Sequence, residues 1–266
     1  MSDAHRTQPT IKVGTTNEVI LARENFHRIL NETQQDVLRM GSLVEEAITK
    51  AVDALARSDI ILADEILNFD DYIDDLNVRI ETNCLNLLAL QQPMASDLRT
   101  IAAMLDIIID LERIGDHACD IAQITKNLAR EPQLKPMIDI PRMAAKAREM
   151  LRESLDAFAN RDAGAAHRIP AKDDDVDRLY RAVFKELIEF MAKDPKAINR
   201  GSNLILVALY LERIADHATN VCERVAYMVE GVPKKLKRSV VEINEVAAHG
   251  DELLKAGRSE SATGTP

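Results

Sequence analysis

Glu112 and Asp116 stand four residues apart in the octet Leu111-Glu112-Arg113-Ile114-Gly115-Asp116-His117-Ala118. On a helix that spacing puts both carboxylates on one face, one turn apart. The octet returns 100 residues later as Leu211-Glu212-Arg213-Ile214-Ala215-Asp216-His217-Ala218, with one change in eight positions. Glu212 and Asp216 therefore repeat the pair. Asp70 and Asp74 form a second pair of the same spacing, prolonged by Asn77 and Glu81, and Asp173 and Asp177 match it in the other half. The alignment is local and direct: Ile73-Asp74-Asp75-Leu76 corresponds to Val176-Asp177-Arg178-Leu179. Converged carboxylates repel one another, and an oxygen-rich set of this kind suits hard or borderline cations. A single acid-x-x-x-acid pair is usually only a solvated helix face. Two pairs per half, at matching places, favour metal binding over that plainer reading.

Their neighbours have simpler roles. His117 and His217 follow the aspartates directly, so they point about 100° away on a helix and read as surface or interhelix side chains. Arg113 and Arg213 are placed to steady the carboxylates by charge-assisted hydrogen bonds.

The carboxylates need long helices to position them, and the apolar spacing supplies those. Leu30, Val37, Gly41, Val44, Ile48, Ala51 and Leu55 step by three, four or seven, which predicts a helix from about Phe26. Ser58-Asp59 closes it and caps the next, whose stripe is Leu62, Ile66, Phe69, Ile73, Leu76, Ile80 and Leu87. Gln92-Pro93 ends that helix, and Ser96 or Asp97 is the expected cap of a third running to about Leu128. Its stripe of Leu98, Ile101, Ala102, Leu105 and Ile109, continued by threes and fours, lands on Glu112 and Asp116. Carboxylates standing where the pattern calls for apolar residues need cations or donors. Glu131-Pro132 and Lys135-Pro136 mark a hinge, after which the pattern repeats over Ala144–Asn160, Ala163–Lys193 and Ile198 to about Glu230. Self-similarity of this length means a duplicated half rather than a short solenoid repeat. The expected fold is all-α, two pseudo-symmetric antiparallel three-helix bundles. The expected divisions are a mobile leader over 1–22, a first repeat over 23–131 and a second over 137–232. A basic segment, a short helix and a disordered tail fill 233–266.

Composition narrows the function. The chain has 266 residues, a net charge of −10 and no Trp. An acidic balance argues against nucleic acid as a partner, because phosphate binding needs a basic face. Cys84, Cys119 and Cys222 are odd in number and scattered, with no CxxC, which reads as reduced thiols in the cytosol. No signal peptide is expected at the start, and the longest apolar run, Leu204–Leu211, is far shorter than the roughly 20 residues of a bilayer crossing. No nucleophile–base constellation, phosphate-binding glycine loop or cofactor fingerprint is visible, so no enzymatic activity is expected.

With both octets, the Asp-x-x-x-Asp pairs and Gln92-Pro93-Met94-Ala95-Ser96-Asp97-Leu98-Arg99, the chain resembles the PhoU family of phosphate-signalling proteins over about residues 26–232. The resemblance implies two three-helix bundles with pseudo-twofold symmetry. It also implies metal ions, iron or zinc first and manganese or magnesium next, at Asp70, Asp74, Glu112, Asp116, Asp173, Asp177, Glu212 and Asp216. In function it implies a cytoplasmic, non-enzymatic negative regulator between the ATPase of the phosphate ABC transporter and a sensor histidine kinase. A homodimer is the expected assembly. The second half departs from the pattern, with Asp194-Pro195-Lys196 in place of the Asp-Leu-Arg run, and Tyr210 and Asn220 where the first half has Asp110 and Asp120. The two metal sites need not be equal.

Two further readings follow from the residues. A ferritin-like oxidase or metal store is the rival from another class, but it calls for two Glu-x-x-His motifs facing a bundle core. The chain offers only Glu24-Asn25-Phe26-His27, without a twin. Lys234-Lys235-Leu236-Lys237-Arg238 is the one dense basic cluster. It reads first as a solvated helix end, and second as a lure toward the anionic membrane face, that is, peripheral association.

Overall fold

The computed structural model describes residues 16–91, 93–129 and 139–236, and all the regular structure among them is helical. The expected hinge prolines, Lys237, Arg238, the short helix near 244–255 and the terminal tail lie outside the described residues. The first half comprises α1 (Thr16–Arg57), α2 (Ile60–Gln91) and α3 (Ala95–Leu128). The second comprises α4 (Asp139–Asn160), α5 (Ala163–Arg168), α6 (Asp173–Lys193) and α7 (Ile198–Glu230).

Local chemistry explains the breaks. Ser58 takes a left-handed conformation, φ 53°, and Asp59 Oδ1 accepts the Leu62 N–H at 3.0 Å to start α2. The second half repeats the device: Arg161 has φ 53° and Asp162 Oδ1 accepts from Ala165 N at 2.9 Å. An aspartate at the N-cap satisfies one of the orphan amides of a helix start. α7 ends at Gly231, whose φ of 76° closes the helix with its N–H on the Tyr227 carbonyl.

Four features differ from the sequence expectation. α1 begins at Thr16, inside the segment expected to be a loose leader, because adding turns to a helix already nucleated by packing is easy. α3 is capped by neither Ser96 nor Asp97; its N-cap is Met94, which offers no side-chain acceptor. The single helix expected over 163–193 is broken by a 3-10 turn at Ile169–Lys172, since Pro170 has no N–H to give to an α-helical ladder. The break makes Asp173 the first residue of α6, where a negative charge is favoured by the helix dipole.

The fourth concerns which face of α3 is buried. Ile101, Met104, Ile108, Leu111, Ile114, Ala118 and Ala122 form its core face, while Leu98 and Ile109 are exposed. α3 touches α1, α2 and α7 at once, so its buried face is broad. The row Leu98–Ala102–Leu105–Ile109–Glu112–Asp116 is the outer flank beside α2. The first carboxylates therefore line a surface groove rather than interrupting the core.

The halves are joined along two seams. α3 and α7 run antiparallel, and each ends on an arginine from the start of the other: Arg99 Nε donates to the Met228 carbonyl at 3.3 Å and Arg200 Nη1 to the Leu128 carbonyl at 3.2 Å. Those carbonyls belong to the last turns, which lack helical partners. On the second seam α1 meets α4, with Gly41 against Leu155 and Glu45 paired to both Arg148 and Arg152. The buried apolar side chains form one contiguous core across both halves.

Candidate metal centres

α2 and α3 lie antiparallel, so Asp70 and Asp74 on one face Glu112 and Asp116 on the other. Gly115 lies at the contact, where a methyl group would meet only ordinary neighbours, 3.7 Å from Asp70 Oδ1 and 3.4 Å from Ile73 Cδ1. Glu112 and Asp70 are half-buried, while Asp74 and Asp116 are exposed. Burial raises the carboxyl pKa of Asp70, Glu112 and Asp116 first, and their neighbours add to it. Asp74 and Asp116 act on Asp70, Asp116 and Asp74 on Glu112, and Asp74 on Asp116. The four expected residues of the first half thus share one field.

The second half is the same set more deeply sunk. Asp173, Asp177 and Glu212 are buried, and Asp216 is half-buried. Desolvation, then Asp177, Asp216 and Glu212, push the Asp173 carboxyl up to about 7. Desolvation pushes Asp177 up to about 6 against the opposing pull of Arg181. Both oxygens of Asp173 and Oδ2 of Asp177 have no hydrogen-bond partner. Arg213 lies 3.2 Å from Asp216 and 3.5 Å from Glu212, as expected of a steadying cation.

A cation fits the donor chemistry of both clusters. All eight donors are carboxylates, and the unpartnered Asp173 and Asp177 oxygens are a buried liability that a cation or a proton removes. The geometry is not that of a closed shell: among the described residues no three His, Cys, Asp or Glu side chains are gathered closely enough to ligate one ion. A cation shared by the carboxylates of either cluster would need rotamer changes that draw them inward.

Two features were missed in the sequence. Cys119 stands three residues beyond Asp116 and seven beyond Glu112, on the same face; its thiol donates to the Ile66 carbonyl at 3.9 Å and lies beside the Asp70 carboxylate. Burial and the carboxylates push its pKa up, so it holds its proton. Thr219, fully buried, takes its place in the second half. The i, i+4, i+7 spacing could have revealed Cys119. The second feature is the middle of the α3–α7 seam. His217 Nδ1 and Asn220 Nδ2 each lie 2.8 Å from Asp110 Oδ1, and the His117 ring lies 5.4 Å from that of Tyr210 and 5.7 Å from that of His217. The two histidines are interhelix side chains here. Glu24 and His27 are both exposed, so they face no bundle core.

The fold and the sites together define a class: a duplicated three-helix-bundle protein with one carboxylate cluster per half. The sequence profile of the PhoU domain matches residues 37–125 and 140–225. The chain belongs to the PhoU family. It is 40% identical over 212 residues to a phosphate-specific transport system accessory protein PhoU homolog of Clostridium acetobutylicum, covering 79% of this chain and 97% of that one. It is 44% identical over 202 residues to the homolog of that name from Aquifex aeolicus, covering 76% and 91%. Crystal structures of PhoU from Pseudomonas aeruginosa and of the phosphate transport system regulatory protein PhoU from Streptococcus pneumoniae both superpose with a TM-score of 0.74. Their identities to this chain are 39% and 37%, with 78% and 79% of this chain and all of each structure covered.

Proposed function

We propose that the chain is a non-enzymatic accessory of phosphate uptake that holds the phosphate-starvation response off when phosphate is plentiful. The observation that carries this reading is its similarity, over nearly the whole length of the relative, to a protein named as an accessory of the phosphate-specific transport system. In this reading it works from the cytoplasmic side as a homodimer, joining the ATPase of the phosphate ABC transporter to a sensor histidine kinase. Among the described residues no helix is long and apolar enough to cross a membrane, in keeping with a partner that acts on a membrane assembly from outside the bilayer.

The carboxylate clusters supply the bracing. Asp70 and Asp74 with Glu112 and Asp116 hold one set of cations between α2 and α3; Asp173 and Asp177 with Glu212 and Asp216 hold another between α6 and α7. The family resemblance puts iron or zinc first, whereas the all-carboxylate donor set by itself suits harder cations such as manganese or magnesium. A bound cation supplies positive charge that offsets the mutual repulsion of the acids and ties the paired helices together. Arg113 and Arg213 orient the outer carboxylates.

The regulatory claim is tested by deleting the gene and following a phosphate-starvation reporter in high phosphate. The reporter should stay on; continued repression would count heavily against the assignment. Metal analysis of purified protein tests the bracing: Glu112→Ala/Asp116→Ala should lose the metal of the first half only. Wild-type protein with neither bound metal nor a metal-dependent melting temperature would leave the carboxylates purely structural.

A further inference from the structure

One end of the molecule combines exposed apolar side chains with fixed cations. The α2–α3 turn, the α4–α5 turn and the C-terminus of α7 meet there, tied by Arg99 to the Met228 carbonyl and by Arg161 Nη1 to Thr100 Oγ1 at 2.9 Å. Leu90 and Met94, at 75% and 67% exposure, are among the most exposed large apolar residues described, and Leu98 and Val232 also face solvent here. Clustered apolar exposure of this kind marks an interaction surface. Both arginines are held by neutral acceptors, a carbonyl and a hydroxyl, so these contacts leave their charge uncompensated. Lys234 and Lys235 are exposed beside them, and Lys237 and Arg238 follow in the sequence.

Of the nearby acids, Glu230 pairs with Lys234 at 3.2 Å and with His167 at 2.8 Å, whereas Asp162 caps α5 through a neutral N–H and keeps its charge. Asp97, half-buried in the first turn of α3, and exposed Asp156, one turn before the end of α4, are further acids here among the described residues. The rest of the chain runs the other way, with a net charge of −10 overall. An anionic layer therefore repels most of the molecule and attracts this end.

We propose that this end docks on an anionic lipid surface, with Leu90, Met94 and Val232 dipping to the headgroup boundary and Lys234, Lys235, Arg99 and Arg161 facing lipid phosphates. Apolar side chains at interfacial depth and long cationic ones reaching to headgroups are the two contributions that hold a protein on a membrane without crossing it. Each cation acts within about a Debye length of the surface, so the attraction is screened by salt. The contact also sets orientation: α3 and α7 stand end-on to the bilayer and present both carboxylate clusters sideways. This proposal does not depend on the metal reading.

Vesicle flotation of the full chain tests it, with phosphatidylcholine vesicles alone or containing phosphatidylglycerol. The wild type should float with the anionic vesicles at about 0.05 M salt and largely dissociate at about 0.5 M. Lys234→Gln/Lys235→Gln should partition about thirtyfold more weakly, from the typical worth of a basic residue near such a surface. Lys185→Gln/Lys196→Gln, which removes the same charge elsewhere, should leave binding unchanged. Leu90→Ser/Met94→Ser should remove the binding that survives intermediate salt. Circular dichroism identical to the wild type keeps each variant interpretable. The proposal is overturned by no flotation with anionic vesicles, by equal flotation with neutral ones, or by equal losses in the two lysine pairs.

Discussion

Asp173 is the residue most at odds with its surroundings. It is buried, neither carboxyl oxygen has a partner, and its pKa is pushed up to about 7 by burial and by Asp177, Asp216 and Glu212. The sign of the linkage follows. An acid whose folded pKa exceeds its unfolded one binds protons more tightly when folded, so stability falls as pH rises between the two values. Metal-free protein should therefore be more stable near pH 5 than near pH 8, the loss accumulating from the ordinary carboxyl range up to about 6 for Asp177 and about 7 for Asp173 and levelling off above. Asp173→Asn should raise the apo stability at pH 8 by on the order of 2 kcal/mol and flatten that pH dependence, because the buried charge is gone. Thermal melts of both proteins in chelator at the two pH values check this; a wild type as stable at pH 8 as at pH 5 would refute it. Added metal should reverse the order at pH 8 by stabilising the wild type more than the variant. The α3–α7 seam carries a second residue-scale lesson. Asp110 meets His217 and Asn220, not its own sequence neighbours. The change of Asp120 to Asn220 between the halves, visible in the sequence as a lapse in the repeat, prevents two carboxylates from meeting there. Asn220→Asp should restore that repulsion and lower stability by about 1–3 kcal/mol, read as a shift of the urea midpoint.

Helix boundaries were legible wherever a single local signal governs them. Asp59 caps α2 as expected, Asp162 caps α5 by the same device, and Gly231 stops α7. The 3-10 turn at Ile169–Lys172 was not read from Pro170, because the apolar spacing runs on through it and a proline near a helix start is compatible with either outcome. The flank position of Glu112 and Asp116 was not legible for a different reason. A stripe read at three- and four-residue steps gives a direction, while the width of the buried face depends on how many partners the helix has. α3 has three, and that count is a tertiary fact. The close passage of α1 over α4 was equally silent. Gly41 sat on an apolar stripe like any small core residue, yet a methyl group there would collide with the Leu155 side chain. Gly41→Ala should therefore lose about 1–2 kcal/mol net, overpacking outweighing the better helix propensity of alanine. Gly115→Ala is the internal control. Its methyl would meet only ordinary contacts, and its counterpart Ala215 already carries one, so it should be neutral or gain up to about 1 kcal/mol. Chemical denaturation of the two variants separates them; equal behaviour would mean that α1 and α4 relax freely.

At the scale of the whole molecule the duplication was legible from the repeated octet, but whether the halves act as one body was not. Three structural facts make them one. The buried core is contiguous across both halves, the arginines cross-cap α3 and α7, and Glu45 binds both Arg148 and Arg152 over the α1–α4 seam. Such a body should unfold in a single cooperative transition, because neither half keeps its α3–α7 face covered when the other melts. The consequence for metal binding is specific. A cation held only by folded protein raises the stability of everything that unfolds with its site. Ions at the buried second cluster should therefore raise the melting temperature of the entire molecule, the first half included. In Glu212→Ala/Asp216→Ala, ions at the first cluster alone should still move one transition as a unit. Calorimetry with and without metal, on wild type and on that variant, checks this: one peak that shifts whole is expected in each case. A split melt in which only one component answers to metal would show that each cluster braces its own bundle, and that the two bundles share contacts without sharing stability.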